Sequence, residues 1–377
     1  MIYLDYNATT PLDPRVLEAM VPWFGEKFGN AASRPHRFGA EARDAVEAAR
    51  AQAASLIGAD PEEIVWTSGA TESDNLALKG VAAAATERKH LVSVVTEHRA
   101  VLDPLDRLER SGCTVTVLGV GRDGLVDLDR LARAVTDRTL LVSVMHANNE
   151  TGVLQPLDRI GKICRDRGAL FHTDATQSCG KEPIDVDAAG VDLLSASAHK
   201  FCGPKGAGIL FVRKRGPRVR CDPIVHGGGH ERGFRSGTLN VPGIVGFGAA
   251  AALCRERRDE EQAGIRGLRD RLESGLLALG GVEVNGDRAR RLSTTTSLAF
   301  DRVDADRLMK ALPDLAMSSS AACTSARMQP SYVLGAMGLG EDRIAGSLRL
   351  SIGRFTTAAD VDAAIEAIGR EVRRQRG

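Results

Sequence analysis

Lys200 closes the stretch Ser195-Ala196-Ser197-Ala198-His199-Lys200, at the end of an apolar run that reads as a strand, with Gly203-Pro204-Lys205-Gly206 behind it. A lysine there is costly to bury unless its amine is used. A Schiff base to pyridoxal phosphate is one use, and a surface lysine on a Gly-Pro loop is the plain alternative. Asp174, in His172-Thr173-Asp174-Ala175-Thr176-Gln177, also ends an apolar strand, on the edge where α/β proteins gather ligands. A carboxylate there can hold a protonated ring nitrogen, although a turn-capping aspartate leaves the same trace. Thr67-Ser68-Gly69-Ala70-Thr71-Glu72-Ser73-Asp74-Asn75 runs from a strand through small residues into a helix. Free N–H groups at a helix start and nearby hydroxyls attract phosphate, but ordinary capped helices have the same parts. Gly227-Gly228-Gly229-His230-Glu231-Arg232 and Arg235-Ser236-Gly237-Thr238 form a loop with anion-binding side chains. Cys323 lies in the small-residue run 318–325, which has neither strand nor helix period. Most lone cysteines are core residues; one on an accessible loop can react. Each signal is ambiguous alone. Taken in order, a phosphate turn, an acid, a lysine and a late thiol fit one pyridoxal-phosphate site.

The elements that must position these residues are legible as apolar runs alternating with helical patterns. Strands are predicted at Glu63–Thr67, Leu91–Val95, Thr114–Leu118, Leu140–Met145, Ala169–Thr173, Asp192–Ala196 and Gly208–Val212. Helical patterns such as Asn75–Ala85 and Leu157–Asp166 lie between them. Strands buried on both faces read as continuous apolar runs, and parallel strands need helical crossovers. The prediction is an α/β chain with a large, doubly wound, mainly parallel domain. Asp13-Pro14 starts a helix that places Val16, Leu17, Met20 and Phe24 on one face. A long helical stretch, Gly246–Leu279, stops at Gly280-Gly281 and carries the boundary between residues 12–255 and 256–377. Strands at Val282–Asn285, Thr294–Phe300 and Leu348–Ile352 and helices at Ala305–Leu312 and Ala358–Arg373 make the second part a smaller α+β domain.

Composition narrows the function classes. The 50 basic and 49 acidic residues leave a net charge of +1, which argues against strong direct nucleic-acid binding. The basic run Arg213 to Arg220 reads as a solvated loop. Neither a signal peptide nor a membrane span is expected, since the longest apolar run, Val241 to Cys254, is too short and Gly-rich. Seven scattered cysteines without a C-x-x-C pair point to reduced thiols in a cytoplasm. No metal site is expected: His226 and His230 are four apart on a glycine run rather than a helix. Gly246-Phe247-Gly248-Ala249-Ala250-Ala251 mimics a dinucleotide fingerprint but leads into a charged helix without the required acid.

From Tyr3-Leu4-Asp5-Tyr6-Asn7-Ala8-Thr9-Thr10-Pro11 to Gly353-Arg354-Phe355-Thr356-Thr357, the chain resembles the cysteine desulfurases of the iron–sulfur-cluster and nitrogen-fixation branch, class-V aminotransferase-like enzymes. The motifs TSGATESDN, TEHRAVLD, MHANNETG, HTDATQS, SAHK, HGGGHERGFRSGT and ACTSA carry the resemblance. It implies a fold-type-I homodimer using pyridoxal 5'-phosphate, with residues 1–11 joining the small domain of 256–377. By position, Lys200 would bond the cofactor, Asp174 pair with its ring nitrogen, and Gln177 contact its ring hydroxyl. His98 would stack on the ring and move protons. Ala70, Thr71, Ser197 and His199 would hold the phosphate, and Thr238 would reach the phosphate of the other subunit. Asn149 would lie beside cofactor and substrate, and Arg349 would clamp the substrate carboxylate. Cys323 would take sulfur from L-cysteine as a persulfide, leaving L-alanine, and pass it to an acceptor protein: an iron–sulfur scaffold, a tRNA-thiolation relay or a DNA phosphorothioation protein. The sequence departs from the pattern at Ala198, at Ser319-Ser320-Ala321, and at Cys179 and Cys202, which flank the expected site and would complicate thiol labelling. An aminotransferase or selenocysteine lyase of the same fold would have little need of Cys323. A non-catalytic scaffold would have no need of Lys200, Asp174 or His98.

Overall fold

The computed structural model describes residues 1–216, 218–319 and 330–377. Its strands are β1 (Ile2–Tyr3), β2 (Ile64–Thr67), β3 (His90–Val94), β4 (Thr114–Leu118), β5 (Thr139–Ser143), β6 (Leu170–Asp174), β7 (Leu193–Ser197), β8 (Gly208–Val212), β9 (Val282–Val284), β10 (Thr295–Phe300), β11 (Leu315–Ala316), β12 (Ser318–Ser319) and β13 (Ser347–Ser351). Seven of them form one sheet in the order β2-β8-β7-β6-β5-β3-β4. The run from β4 to β7 is parallel, and β8 lies antiparallel between β7 and β2. Every residue of β7 and β8 is buried, as expected for strands covered on both faces, while the edge strand β4 is partly open. The chain is thus an α/β protein with a large, mainly parallel sheet.

Some helices follow their local signals and others depart from them. Asp13 accepts from Arg15 N and Pro14 occupies the first turn of Pro14–Met20. Val16 and Met20 are buried, but Leu17 and Phe24 are 47% and 66% exposed, contrary to the predicted common face. The α-helix ends at Met20 and tightens into a 3-10 turn over Val21–Phe24, so the 3.6-residue period does not carry through. The helix Arg37–Ile57 has no counterpart in the sequence reading. Its buried face is largely alanine and glycine, so it packs closely on the long helix Val241–Leu277 while presenting little apolar periodicity.

That long helix serves two cores. Val241, Ile244, Phe247 and Cys254 join Trp66, Phe171 and Phe211 in the first, whereas Ile265, Leu272 and Leu276 join Leu298, Phe300, Leu348, Val361 and Ile368 in the second. Each fully buried Phe or Leu contributes roughly 1.5–3 kcal/mol relative to exposure. The second core lies on an antiparallel sheet of order β12-β13-β10-β9. The N-terminal segment belongs with it: β1 pairs in parallel with β11, and Leu4 is fully buried in that core. Gly280 and Gly281, both with positive φ, follow the long helix before β9.

Candidate active site

The C-terminal ends of β6 and β7 are adjacent, with Asp174 opposite Ser195, and they open onto a cavity of about 610 Å³. Ala70, Thr71, His98, Asn149, Asp174, Gln177, Ser197, His199, Lys200 and Arg349 all line it, as do Asn7, Asp74, Thr176 and Lys205. Ten of the twelve residues singled out from sequence therefore meet in one place. Thr238 does not line the cavity; it lies exposed on the glycine-rich loop. Cys323 falls in 320–329, outside the described residues.

Lys200 ends a 3-10 turn, Ala198–Lys200, directly after β7. Its Nζ donates to the carbonyl oxygens of Asn7 at 2.6 Å and Ala8 at 2.8 Å. Burial and the Arg349 cation lower its pKa to about 8, partly opposed by Asp174 and Asp5. The amine is thereby brought within reach of neutral pH, where a lysine can act as base or nucleophile.

Asp174 accepts from Thr176 N at 2.9 Å, which fixes its carboxylate at the strand end. Beneath it lie two further buried acids. Asp74 and Glu97 have no exposed surface, and both pKa values are raised, by burial first and by the Asp174 charge second. Glu97 accepts from Met145 N at 2.5 Å. His172, also fully buried, is pushed down to about 3 by burial, so its imidazole is neutral and bridges Ser143 and Ser195.

At the opposite wall, a helical run begins at Ala70 and continues through a π-helical turn at Leu76–Gly80 into Val81–Ala84. Gly69 precedes it at φ 153°, a conformation suited to glycine, and no side chain caps the first N–H groups. Gly208 of β8 passes beneath; a Cβ there would come 2.5 Å from Gly69 Cα. Ser197 and His199 face this turn from β7 and the segment after it. His199 Nδ1 contacts Thr9 Oγ1 at 3.1 Å, and burial followed by Lys200 lowers its pKa to about 4, leaving it a neutral hydrogen-bonding group.

The remaining wall suits an amino acid. His98 caps the helix Arg99–Arg110, accepting from Ala100 N through Nδ1 at 3.1 Å, which puts the proton of the neutral ring on Nε2. Arg349 donates from Nη2 to Asp5 Oδ1 at 2.6 Å and to Ser318 Oγ at 2.9 Å, and from Nη1 to Asn149 O at 3.0 Å. Its Nε and the Asn149 Oδ1 have no partner among the described residues. Asn7, like Asp74, Thr176 and Lys205, lines the cavity but is absent from the predicted site. Its place in the N-terminal motif is the only trace, because it meets Lys200 through its backbone carbonyl.

Two expectations about side chains are corrected. Cys179 and Cys202 are buried rather than open to labelling, and burial pushes both thiols up, Cys179 to about 12. Arg213, read as part of a solvated loop, is mostly buried and donates to the carbonyls of Val186 and Val191.

The fold and this cavity define a fold-type-I pyridoxal-phosphate enzyme. The class-V aminotransferase family model matches residues 2–364. The chain is 55% identical over 377 residues to cysteine desulfurase IscS of Anaeromyxobacter sp. (strain Fw109-5), covering 100% of this chain and 93% of that protein. Among solved structures, a NifS-like protein superposes with TM-score 0.92 at 38% identity, covering 99% of both chains. SspA in complex with cysteine gives TM-score 0.82 at 35% identity, covering 95% of this chain and 100% of that one. The chain belongs to the class-V aminotransferase family and, within it, to the cysteine desulfurases, which depend on pyridoxal phosphate.

The residues present fit that cofactor. Asn149 Oδ1 and Thr176 Oγ1 are buried polar atoms without partners among the described residues. The uncapped turn at Gly69 suits a phosphate, Asp174 a pyridine nitrogen and Lys200 an aldehyde.

Proposed function

We propose that this cavity binds pyridoxal 5'-phosphate and removes sulfur from L-cysteine, giving L-alanine and a persulfide on Cys323. The convergence of ten separate residues on one cavity around Lys200 carries the reading. Lys200 bonds the cofactor; Asp174 holds the ring nitrogen and Gln177 the ring hydroxyl. Ala70, Thr71, Ser197 and His199 hold the phosphate. Once bound, the cofactor supplies the electron sink that chemistry at an amino-acid α-carbon requires.

The chain's own residues do the rest. Arg349 clamps the substrate carboxylate, using its unpartnered Nε and turning away from Asp5, while Asn149 borders the substrate. Lys200, when its amine is free, takes the proton from the α-carbon and returns one to the product. His98, through Nε2, moves the proton of the substrate or Cys323 thiol. The Cys323 thiolate attacks the substrate sulfur, an S–S bond forms as the Cβ–S bond breaks, and the electron pair stays with carbon. Protonation of that carbon gives alanine, so one cysteine and one enzyme thiol yield one alanine and one persulfide. The relative in complex with cysteine supports this substrate.

The same reading divides the chain into a large domain, 12–255, and a small domain formed by 1–11 and 256–377. It makes the working unit a homodimer. Exposed Val21, Phe24, Phe28 and Phe38 leave an apolar surface for a second copy, and the exposed Thr238 is free to serve the partner's phosphate. The persulfide sulfur then passes to an acceptor protein: an iron–sulfur scaffold, a tRNA-thiolation relay or a phosphorothioation protein. No helix among the described residues is long and apolar enough to cross a membrane. The free thiols among the described cysteines suit a reducing cytoplasm.

The test is alanine and sulfide release from L-cysteine with a reductant, comparing wild type with Cys323→Ala. Equal release of both by wild type, lost in a variant that still binds cofactor, is expected. Undiminished release by Cys323→Ala would overturn the assignment of the thiol.

A further inference from the structure

Asn7 is 1% exposed and is hydrogen-bonded to five residues around the site. Its backbone oxygen accepts from Lys200 Nζ at 2.6 Å and from Gln177 Nε2 at 2.9 Å. Its side-chain Nδ2 donates to Asn149 O at 3.1 Å and Thr295 Oγ1 at 3.0 Å, and its N–H donates to Ser351 Oγ at 2.9 Å. The Asn149 carbonyl is shared, because Arg349 Nη1 also donates to it at 3.0 Å. Together with Ala8 O, the Asn7 carbonyl forms a two-acceptor cradle whose position is fixed by the Asn7 side chain on β10 and the Asn149 loop.

We propose that Asn7 is a positioning residue: it builds the dock that receives the Lys200 amine whenever that amine is not bonded to cofactor, and it couples the dock to the Arg349 clamp through the Asn149 carbonyl. The proposal rests on the reading of Lys200 as the cofactor lysine and Arg349 as the substrate clamp. Its physical basis is simple. A released amine on a flexible stem loses catalytic value unless it is held where the proton must be moved, and two carbonyl oxygens hold an ammonium by charge-assisted bonds. When Arg349 turns to a substrate carboxylate, Asn149 O loses one of its two donors and is left to Asn7 Nδ2. Substrate arrival then tightens the contact that orients the dock.

The amine's protonation also responds to the groups around it: Asp174 on β6, Arg349 on β13, Asp5 on the N-terminal segment, Lys181 after β6 and His199 in the same turn. Asn7→Ala replaces none of these residues; its one link to them is the Asn149 carbonyl shared with Arg349, and Thr295→Val, which leaves both donors to that carbonyl in place, separates the dock from a shift of Arg349. The experiment is competitive acetic anhydride labelling of Lys200 across pH in cofactor-free protein, read by peptide mass spectrometry, for wild type and Asn7→Ala. Labelling at neutral pH should rise about fivefold or more in Asn7→Ala, with a lower titration midpoint, as loss of a charge-assisted hydrogen bond implies. In the reconstituted enzyme, kcat for alanine formation should fall about tenfold, with KM for cysteine changing less than about threefold. Thr295→Val, which removes the far anchor of the Asn7 side chain, should shift labelling the same way by less, and stands in if Asn7→Ala does not fold. A Lys200 labelling profile identical to wild type in either folded variant would overturn the proposal and leave Asn7 a structural staple. If wild type makes no alanine from cysteine, the proposed function fails, yet the labelling result still decides whether the dock exists.

Discussion

His172 Nε2 lies 3.6 Å from Asp74 Oδ1, with both side chains fully buried beneath the cavity. Burial raises the Asp74 pKa, helped by the Asp174 charge, and lowers that of His172 to about 3, so at neutral pH the imidazole is neutral. The contact is therefore not an ion pair.

The raised pKa values of Asp74 and Glu97 give stability a pH slope. Unfolded, each loses its proton near about pH 4, whereas the native form holds it to higher pH, so stability falls as pH rises toward the folded pKa. Each group contributes a slope of up to about 1.4 kcal/mol per pH unit. Asp74→Asn and Glu97→Gln cannot ionise, and the Gln side-chain oxygen can still accept from Met145 N. Denaturant midpoints should show each variant gaining on wild type from pH 5 to pH 8. A gain independent of pH would mean that the acid is already ionised in the folded protein.

Arg349 is held by Asp5, Ser318 and Asn149 in a planar fork that lysine cannot reproduce. Arg349→Lys should raise KM for L-cysteine by about tenfold or more, with a smaller change in kcat. Steady-state kinetics check this; an unchanged KM would remove Arg349 from carboxylate binding.

Arg50 and Glu231 form a buried bidentate pair at 2.7 and 2.8 Å, and Trp66 N donates to the same carboxylate at 2.8 Å. The pair pins a turn in which Glu231 and Arg232 both have positive φ, just ahead of Thr238. Glu231→Ala leaves buried Arg50 with only the exposed Glu47, 3.1 Å from its Nε, as a carboxylate partner and should cost about 3 kcal/mol in denaturant unfolding. It should also weaken cofactor retention by mispositioning Thr238. A loss below about 1 kcal/mol would show that the turn holds without the pair.

The parts of this architecture that were legible in sequence are those whose signal is local. Thr114–Leu118 and Gly208–Val212 coincide with β4 and β8, and the Asp13-Pro14 start was read from two adjacent residues. Arg37–Ile57 escaped because an alanine-faced helix buries little that a periodicity argument can detect. Lys200 and Asp174 were found because each lies at the end of a strand or just beyond one. The raised pKa of Asp74 was hidden, since it depends on burial supplied by distant segments and on Asp174. Asn7 was hidden for another reason: a backbone carbonyl leaves no side-chain signature. The shielding of Cys179 likewise follows from its place in the first core with Phe201 and Cys254, which spacing does not reveal.

The most direct test of the account follows sulfur to its acceptor atom. Reconstituted enzyme is exposed to a single equivalent of L-cysteine without reductant, alanine is quantified, and cysteine-containing peptides are weighed. The account predicts one added sulfur on Cys323 for each alanine, with the buried Cys179, Cys202 and Cys254 unmodified. Alanine formed with Cys323 unmodified, or sulfur found on a buried thiol instead, would contradict it.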